Sequence, residues 1–280
     1  MFKSINQWSF PAGMTVSEIM QQAKQLGFDA IEPAISETGE LSLESTDDEI
    51  RAIRAEADRI GIRLSSLAGG LSWGCSPTSN DPAVREKAFQ NTKRQLEVAS
   101  VLGVEAILLV PGTVGTGFWG GEDDFVYYED AWNRCVDMLK RLAPVAEECG
   151  VVIGVENVWN NFILSPKDMC SLIDEVGSPW VKAYLDIGNT VKFGFPEMWV
   201  RMLGDRIVRV HIKDFRRSIG TLDGFCDLLS GDLDFPAVMR ELRAIGYDKD
   251  ITAEMNHSVK CYPENIVKRT SAAMDIILGR

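Results

Sequence analysis

Short β-rich runs alternate with amphipathic helical stretches along the chain, which predicts an α/β protein: a closed (β/α)8 barrel with residues 1–280 forming one domain. Three observations carry this reading. There are eight strand candidates, at 3–8, 29–34, 63–68, 106–111, 151–157, 181–186, 207–213 and 250–255. Gly27, Gly61, Gly103, Gly150, Gly177 and Gly246 recur where helices between strands should stop. The length of 280 residues suits a barrel, for which about 250 is typical.

Taken in order, the first helix is announced by a capping box, Thr15-x-x-Glu18, in which hydroxyl and carboxylate satisfy each other's free backbone N–H groups. The stretch 81–102 carries Val84, Ala88, Asn91, Gln95, Val98 and Leu102 at three- and four-residue steps, and 127–149 has the same period. Ser165-Pro166 places proline at a first helical position. A doubly wound open sheet is the competing arrangement, but Gly112, Gly115 and Gly117 follow their strand without the G-x-G-x-x-G spacing that would cradle a dinucleotide.

Composition narrows the function. With 45% hydrophobic and 25% charged residues and no low-complexity tract, the chain has the material for a large core. A net charge of -12 opposes polyanions, so nucleic acid is disfavoured as a partner. The opening MFKSINQWSFPAG lacks a basic stretch followed by a long apolar run, and no stretch approaches the roughly 20 apolar residues of a membrane span, so a cytoplasmic location is expected. The six cysteines form no C-x-x-C pair and read as reduced thiols.

In a barrel the chemistry belongs at the carboxyl ends of the strands. Strand five closes on Glu156, strand six on Asp186, strand seven on His211 and strand eight on Glu254, each after an apolar run. Neighbouring strands lie about 4.8 Å apart, so four such side chains can converge on one ion. Three carboxylates in one dry place would otherwise raise one another's pKa values, and a divalent cation relieves that repulsion. The donor set is oxygen-rich with one imidazole, which favours Mn²⁺, or Mg²⁺ or Co²⁺, over a structural zinc. The alternative for His211, one of only two histidines, is a core imidazole satisfied by a backbone partner.

The motifs VENVWNN, YLDIGN, VHIKDF, GDLDFPAVMRELRAIGY and ITAEM, spread over essentially the whole chain, resemble the xylose isomerase-like TIM barrels. That family comprises sugar and sugar-phosphate isomerases and epimerases, among them ketose 3-epimerases and hydroxypyruvate isomerase. The resemblance implies that Glu156, Asp186, His211 and Glu254 hold the metal and that Glu156 and Glu254 are the catalytic acid/base pair. It places a substrate-binding arginine at Arg217 and implies a dimer or tetramer. Two positions depart from the ketose epimerases: Asn189 stands where they have histidine, and Phe162 where they have a second substrate-contacting glutamate, and both bear on which sugar is used.

The expected activity is therefore a metal-dependent epimerase or isomerase acting on a small ketose or ketose phosphate. A cation touching the carbonyl and hydroxyl oxygens of an α-hydroxyketone acidifies the C–H between them and stabilises the enediolate, while two glutamates remove and return the proton. Further candidate substrate contacts are Lys213, two residues past His211 on the same side of the strand, Asn189, His257, and Trp119 in the glycine-rich loop after strand four. Trp73 in the loop after strand three is a second pocket wall. The alternatives are a dehydratase acting on a keto-inositol, which uses the same proton abstraction, and a non-catalytic sugar-binding protein. A DNA-repair endonuclease of this superfamily needs several histidines for its metal cluster and is rejected on the count of two.

Overall fold

The computed structural model describes residues 1–115, 125–255 and 262–280. Among them, eight strands form one parallel sheet: β1 (Phe2–Asn6), β2 (Ala30–Glu32), β3 (Arg63–Leu64), β4 (Ala106–Leu109), β5 (Val152–Glu156), β6 (Val181–Asp186), β7 (Ile207–Ile212) and β8 (Asp250–Ala253). Their order is β3-β2-β1-β8-β7-β6-β5-β4. The ends of that row meet at Leu67, whose N–H donates to Ala106 O and whose carbonyl accepts from Leu108 N–H, each at 3.0 Å. The sheet is thus a closed barrel, with no exposed edge to pair with another chain.

Around it lie α1 (Val16–Gln25), α2 (Asp47–Ile60), α3 (Pro82–Leu102), α4 (Tyr128–Cys149), α5 (Pro166–Val176), α6 (Pro196–Leu203), α7 (Phe235–Ala244) and α8 (Asn265–Leu278). Capping boxes begin α1 at Thr15, α2 at Thr46 and α5 at Ser165. All six glycines singled out at helix ends have positive φ, between 67° and 82°, which a side chain would resist. Each helix buries one stripe, such as Ile50, Ile53 and Ala57 of α2, and central strands are buried on both faces, as in IVRVHI of β7. None of the described helices is long and apolar enough to cross a membrane.

Two expected strands are shorter than their sequence pattern. Pro33 lacks the N–H needed to continue β2, so the chain breaks after Glu32 and resumes as Ala34–Ile35, paired with Ala68–Gly69 in a small ribbon. The run 63–68 also divides, into Arg63–Leu64 in the barrel and Ala68–Gly69 in the ribbon. Between β6 and β7 the register shifts by one residue, setting Tyr184 opposite Arg209 and Asp186 opposite His211. That shift aligns two of the candidate ligands side by side.

Candidate metal centre

Glu156 and Asp186 are the last residues of β5 and β6, His211 is the penultimate residue of β7, and Glu254 follows β8 directly. All four are buried, and each offers a ligand atom within 4.8 Å of the other three. His211 Nδ1 lies 3.2 Å from Glu254 Oε2 and 3.7 Å from Glu156 Oε1. His211 Nδ1 is buried without a hydrogen-bond partner, and Asp186 Oδ2, equally buried, meets the Lys213 ammonium at 3.0 Å. An unsatisfied polar atom is costly in a dry interior, and an imidazole nitrogen without a hydrogen bond among three buried carboxylates, which already draw one ammonium, is what a cation's ligands look like without the cation. The residues therefore fit a divalent metal, and four protein donors would leave coordination positions for a substrate.

Supporting contacts fix these side chains. Asp186 Oδ1 accepts from Asn189 N–H at 2.8 Å, capping the short helix Ile187–Thr190, so the acid's orientation is set by the backbone after it. Asn157 ties β5 to β6: its Nδ2 donates to Asp186 O at 2.8 Å and its Oδ1 accepts from Asp186 N–H at 2.9 Å. Lys213 Nζ is 2.7 Å from Glu254 Oε2 and 3.0 Å from Asp186 Oδ2. Gly188 makes room for it, because a Cβ there would come within 2.3 Å of Lys213 Cγ.

Electrostatics follows from this crowding. Burial, reinforced by the charges of Glu254 and Asp186, pushes Glu156 up from 4.5 to about 7, with His211 opposing. Burial also raises Asp186. Burial alone would raise Glu254, but Lys213 and His211 outweigh it and hold that carboxyl well below the usual range. The imidazole of His211, which burial would discharge, is instead held strongly basic by Glu32, Glu156 and Glu254. The same crowding thus moves the two glutamates in opposite directions, Glu156 up and Glu254 down.

A cavity of about 140 Å³ opens over the cluster, lined by Glu156, Asn189, Lys213 and Glu254. Trp8, Trp73, Trp159 and Phe225 supply its apolar walls. A wider cavity of about 730 Å³ adjoins it at Trp8, Trp73 and Glu254.

The expected site residues are placed as follows. Glu156, Asp186, His211, Glu254, Lys213 and Asn189 come together. Arg217 does not line either cavity: its guanidinium donates to Val191 O and Gly194 O and lies 5.1 Å from the Phe195 ring, so it braces the segment after Ile187–Thr190. Phe162, at the position of the epimerases' second glutamate, is fully buried against Tyr128 and Trp132, away from the cavity. Trp119 and His257 lie outside the described residues. Sequence reasoning missed Glu32, at the end of β2, whose carboxylate stands 2.6 Å from His211 Nε2. The signal was present, since the run AIE also closes on an acid at a strand end.

With this geometry in hand, comparison with known proteins is informative. The family model for the xylose isomerase-like TIM barrel matches residues 20–276. The chain belongs to this family. A curated relative, the L-ribulose-5-phosphate 3-epimerase UlaE of Escherichia coli O157:H7 (strain EC4115 / EHEC), is 28% identical over 258 residues, covering 90% of this chain and 86% of its own. A D-psicose 3-epimerase crystallised in the presence of D-fructose superposes with a TM-score of 0.84 at 19% identity, covering 100% of both chains. An L-ribulose 3-epimerase superposes with a TM-score of 0.81 at 19% identity, covering 99% of this chain and 94% of its own. At that identity the two structures speak for the fold, and the family's xylose isomerase-like barrel agrees with the one seen here.

Proposed function

We propose that this chain is a divalent-metal-dependent sugar epimerase acting on a small ketose or ketose phosphate, with Glu156 and Glu254 as its acid/base pair. The observation that carries the reading is the convergence of Glu156, Asp186, His211 and Glu254 at four successive strand ends, with Glu156 and Glu254 lining the adjoining cavity. The curated relative named a 3-epimerase supports the reaction type.

A bound Mn²⁺, Mg²⁺ or Co²⁺ would polarise the ketose carbonyl and stabilise the charge left when the neighbouring C–H is broken. The protein's own groups do the proton work. Glu156 and Glu254 come from β5 and β8, with β6 and β7 between them, so their carboxylates approach a substrate from different sides. One removes the proton from the hydroxyl-bearing carbon next to the carbonyl, and the other delivers a proton to the opposite face, inverting that carbon. Lys213 keeps Glu254 ionised and offers an N–H to a substrate oxygen. Asn189 has its amide nitrogen bound to Asn157 O at 3.0 Å, which aims the rest of its side chain in the cavity wall. Trp8, Trp73, Trp159 and Phe225 cover the apolar faces of a sugar and exclude water. Manganese is the ion we assign, on the three-carboxylate, one-imidazole donor set.

Incubating the Mn²⁺-loaded protein with ketopentoses, ketohexoses and their 5- or 6-phosphates, and resolving the products by chromatography and NMR, tests this. The expected product is the ketose inverted next to the carbonyl. An aldose product would shift the reading to aldose-ketose isomerisation, an unsaturated product would shift it to dehydration, and binding without turnover of any ketose would overturn it.

A further inference from the structure

Glu32 lies beneath the ligand cluster, at the end of β2 on the other side of the barrel from β6, and it is fully buried. Its Oε2 accepts from Asn6 Nδ2 at 2.6 Å and faces His211 Nε2 at 2.6 Å. Its Oε1 accepts from Ser66 Oγ at 2.6 Å and from the Tyr184 hydroxyl. Asparagine NH₂ and the two hydroxyls direct hydrogens at it, and a carboxylate has about four acceptor positions, so the fourth is filled only if Nε2 carries a proton. A bare Nε2 would set two acceptors against each other without water, an arrangement a protein interior does not tolerate.

A neutral imidazole has one N–H, so a proton kept on Nε2 leaves the lone pair on Nδ1. Nδ1 is the nitrogen that faces Glu156 and Glu254 and has no hydrogen-bond partner. The ring's tilt is fixed as well. Tyr184 meets it edge-on, with centroids 4.7 Å apart and planes at 69°, and the same Tyr184 is tethered through its hydroxyl to Glu32. Tyr184 in turn fills the space left by Gly154, where a Cβ would fall 2.8 Å from Tyr184 Cδ2.

We propose that Glu32 is a positioning residue for the metal centre: it holds His211 with Nε2 protonated, aims a bare Nδ1 at the ion, and makes the imidazole a stronger donor. This rests on the metal reading above. Partners of this kind behind a ligating histidine typically change metal affinity by about 10–100-fold when removed.

The test uses ¹⁵N-histidine labelling, which reports two residues, His211 and His257. A His257→Asn sample assigns the pair. In the Mg²⁺-loaded wild-type protein, long-range ¹H–¹⁵N spectra should show His211 as the Nε2–H tautomer, with Nδ1 shifting as Mg²⁺ is added. Glu32→Gln should lose that single tautomer and bind Mn²⁺ about 10–100-fold more weakly in calorimetric titration. An Nδ1–H tautomer with Mg²⁺ bound, or a folded Glu32→Gln with wild-type tautomer and Mn²⁺ affinity, would overturn the proposal. Should Glu32→Gln fail to fold, the wild-type spectrum decides. Asp186→Asn separates the two layers: if it leaves Mn²⁺ binding unchanged, the metal reading itself falls, whereas weakened binding in Asp186→Asn but not in Glu32→Gln sinks only the role of Glu32.

Discussion

The ammonium of Lys213 sits 2.7 Å from Glu254 and 3.0 Å from Asp186, so a cation of the chain's own already bridges two of the four candidate metal ligands. Burial by itself would discharge that lysine, but Asp186, Glu254 and Glu156 keep it firmly protonated. It compensates carboxylates that would otherwise repel, and it competes with a metal for the same oxygens.

Replacing Lys213 by Met removes the charge and keeps much of the stem. Breaking a buried pair from one side costs about 3–5 kcal/mol, so the cation-free variant should melt well below wild type. Mn²⁺ should recover most of that loss and bind more tightly than to wild type, while turnover falls because Glu254 has lost its partner. Calorimetric melting and titration measure both, and weaker Mn²⁺ binding would contradict the competition.

Asp186→Asn separates ligation from folding. Asparagine caps a helix as well as aspartate does, so the turn at Ile187–Thr190 should survive, while the charge lost beside Lys213 lowers the melting temperature of the folded variant. Its neutral oxygen is a poorer ligand for a hard cation, and Mn²⁺ affinity should drop at least tenfold with activity following. Circular dichroism and titration on one sample check the pair of outcomes.

The pH dependence has a definite sign. In the cation-free protein Glu156 is raised to about 7, burial being the first cause, against 4.5 ordinarily. The folded state therefore holds more protons than the unfolded one across that interval, and this stability, present below about 4.5, is lost as pH rises through about 7. The raised His211 acts in the same direction. A bound metal needs Glu156 ionised and His211 Nδ1 bare, so it releases protons and gains affinity with pH. The melting-temperature increase produced by Mn²⁺ should be small at pH 5 and grow steadily to pH 8; a constant or shrinking increase would contradict this.

Gly188→Ala probes the space given to Lys213. The added methyl would lie 2.3 Å from Lys213 Cγ and 2.9 Å from Lys213 O, and the backbone oxygen cannot step aside. Overpacking of this kind costs about 1–3 kcal/mol, and the displaced ammonium should lower turnover out of proportion to that loss. Urea unfolding beside steady-state kinetics makes the comparison.

Much of this was readable from the residues. The barrel followed from apolar runs at a regular spacing and from glycines such as Gly61 and Gly150, because only glycine enters the left-handed turn cheaply. The four ligands were readable because each ends an apolar run that must leave the core at one rim. Glu32 escaped because the expected strand 29–34 runs past it, which puts the acid inside the run and not at its end; its role depends on His211, 179 residues away. Arg217 depends on long-range contacts as well. The family resemblance put a substrate contact there; in the structure Asp214–Phe215 pairs with Phe225–Cys226, and Asp214 accepts backbone N–H groups from Gly231 and Leu233. These long-range bonds fold the loop so that its guanidinium reaches Val191 O and Gly194 O.

Solvent exchange tests the central claim most directly. The Mn²⁺-loaded protein is incubated in D₂O with the ketose it turns over fastest, and deuterium at each carbon is followed by NMR. The account predicts metal-dependent deuterium at the carbon next to the carbonyl, accumulating with the epimer and lost in Glu254→Gln. Epimer formed without deuterium from solvent, or exchange untouched by Glu254→Gln, would contradict proton transfer by this pair of glutamates.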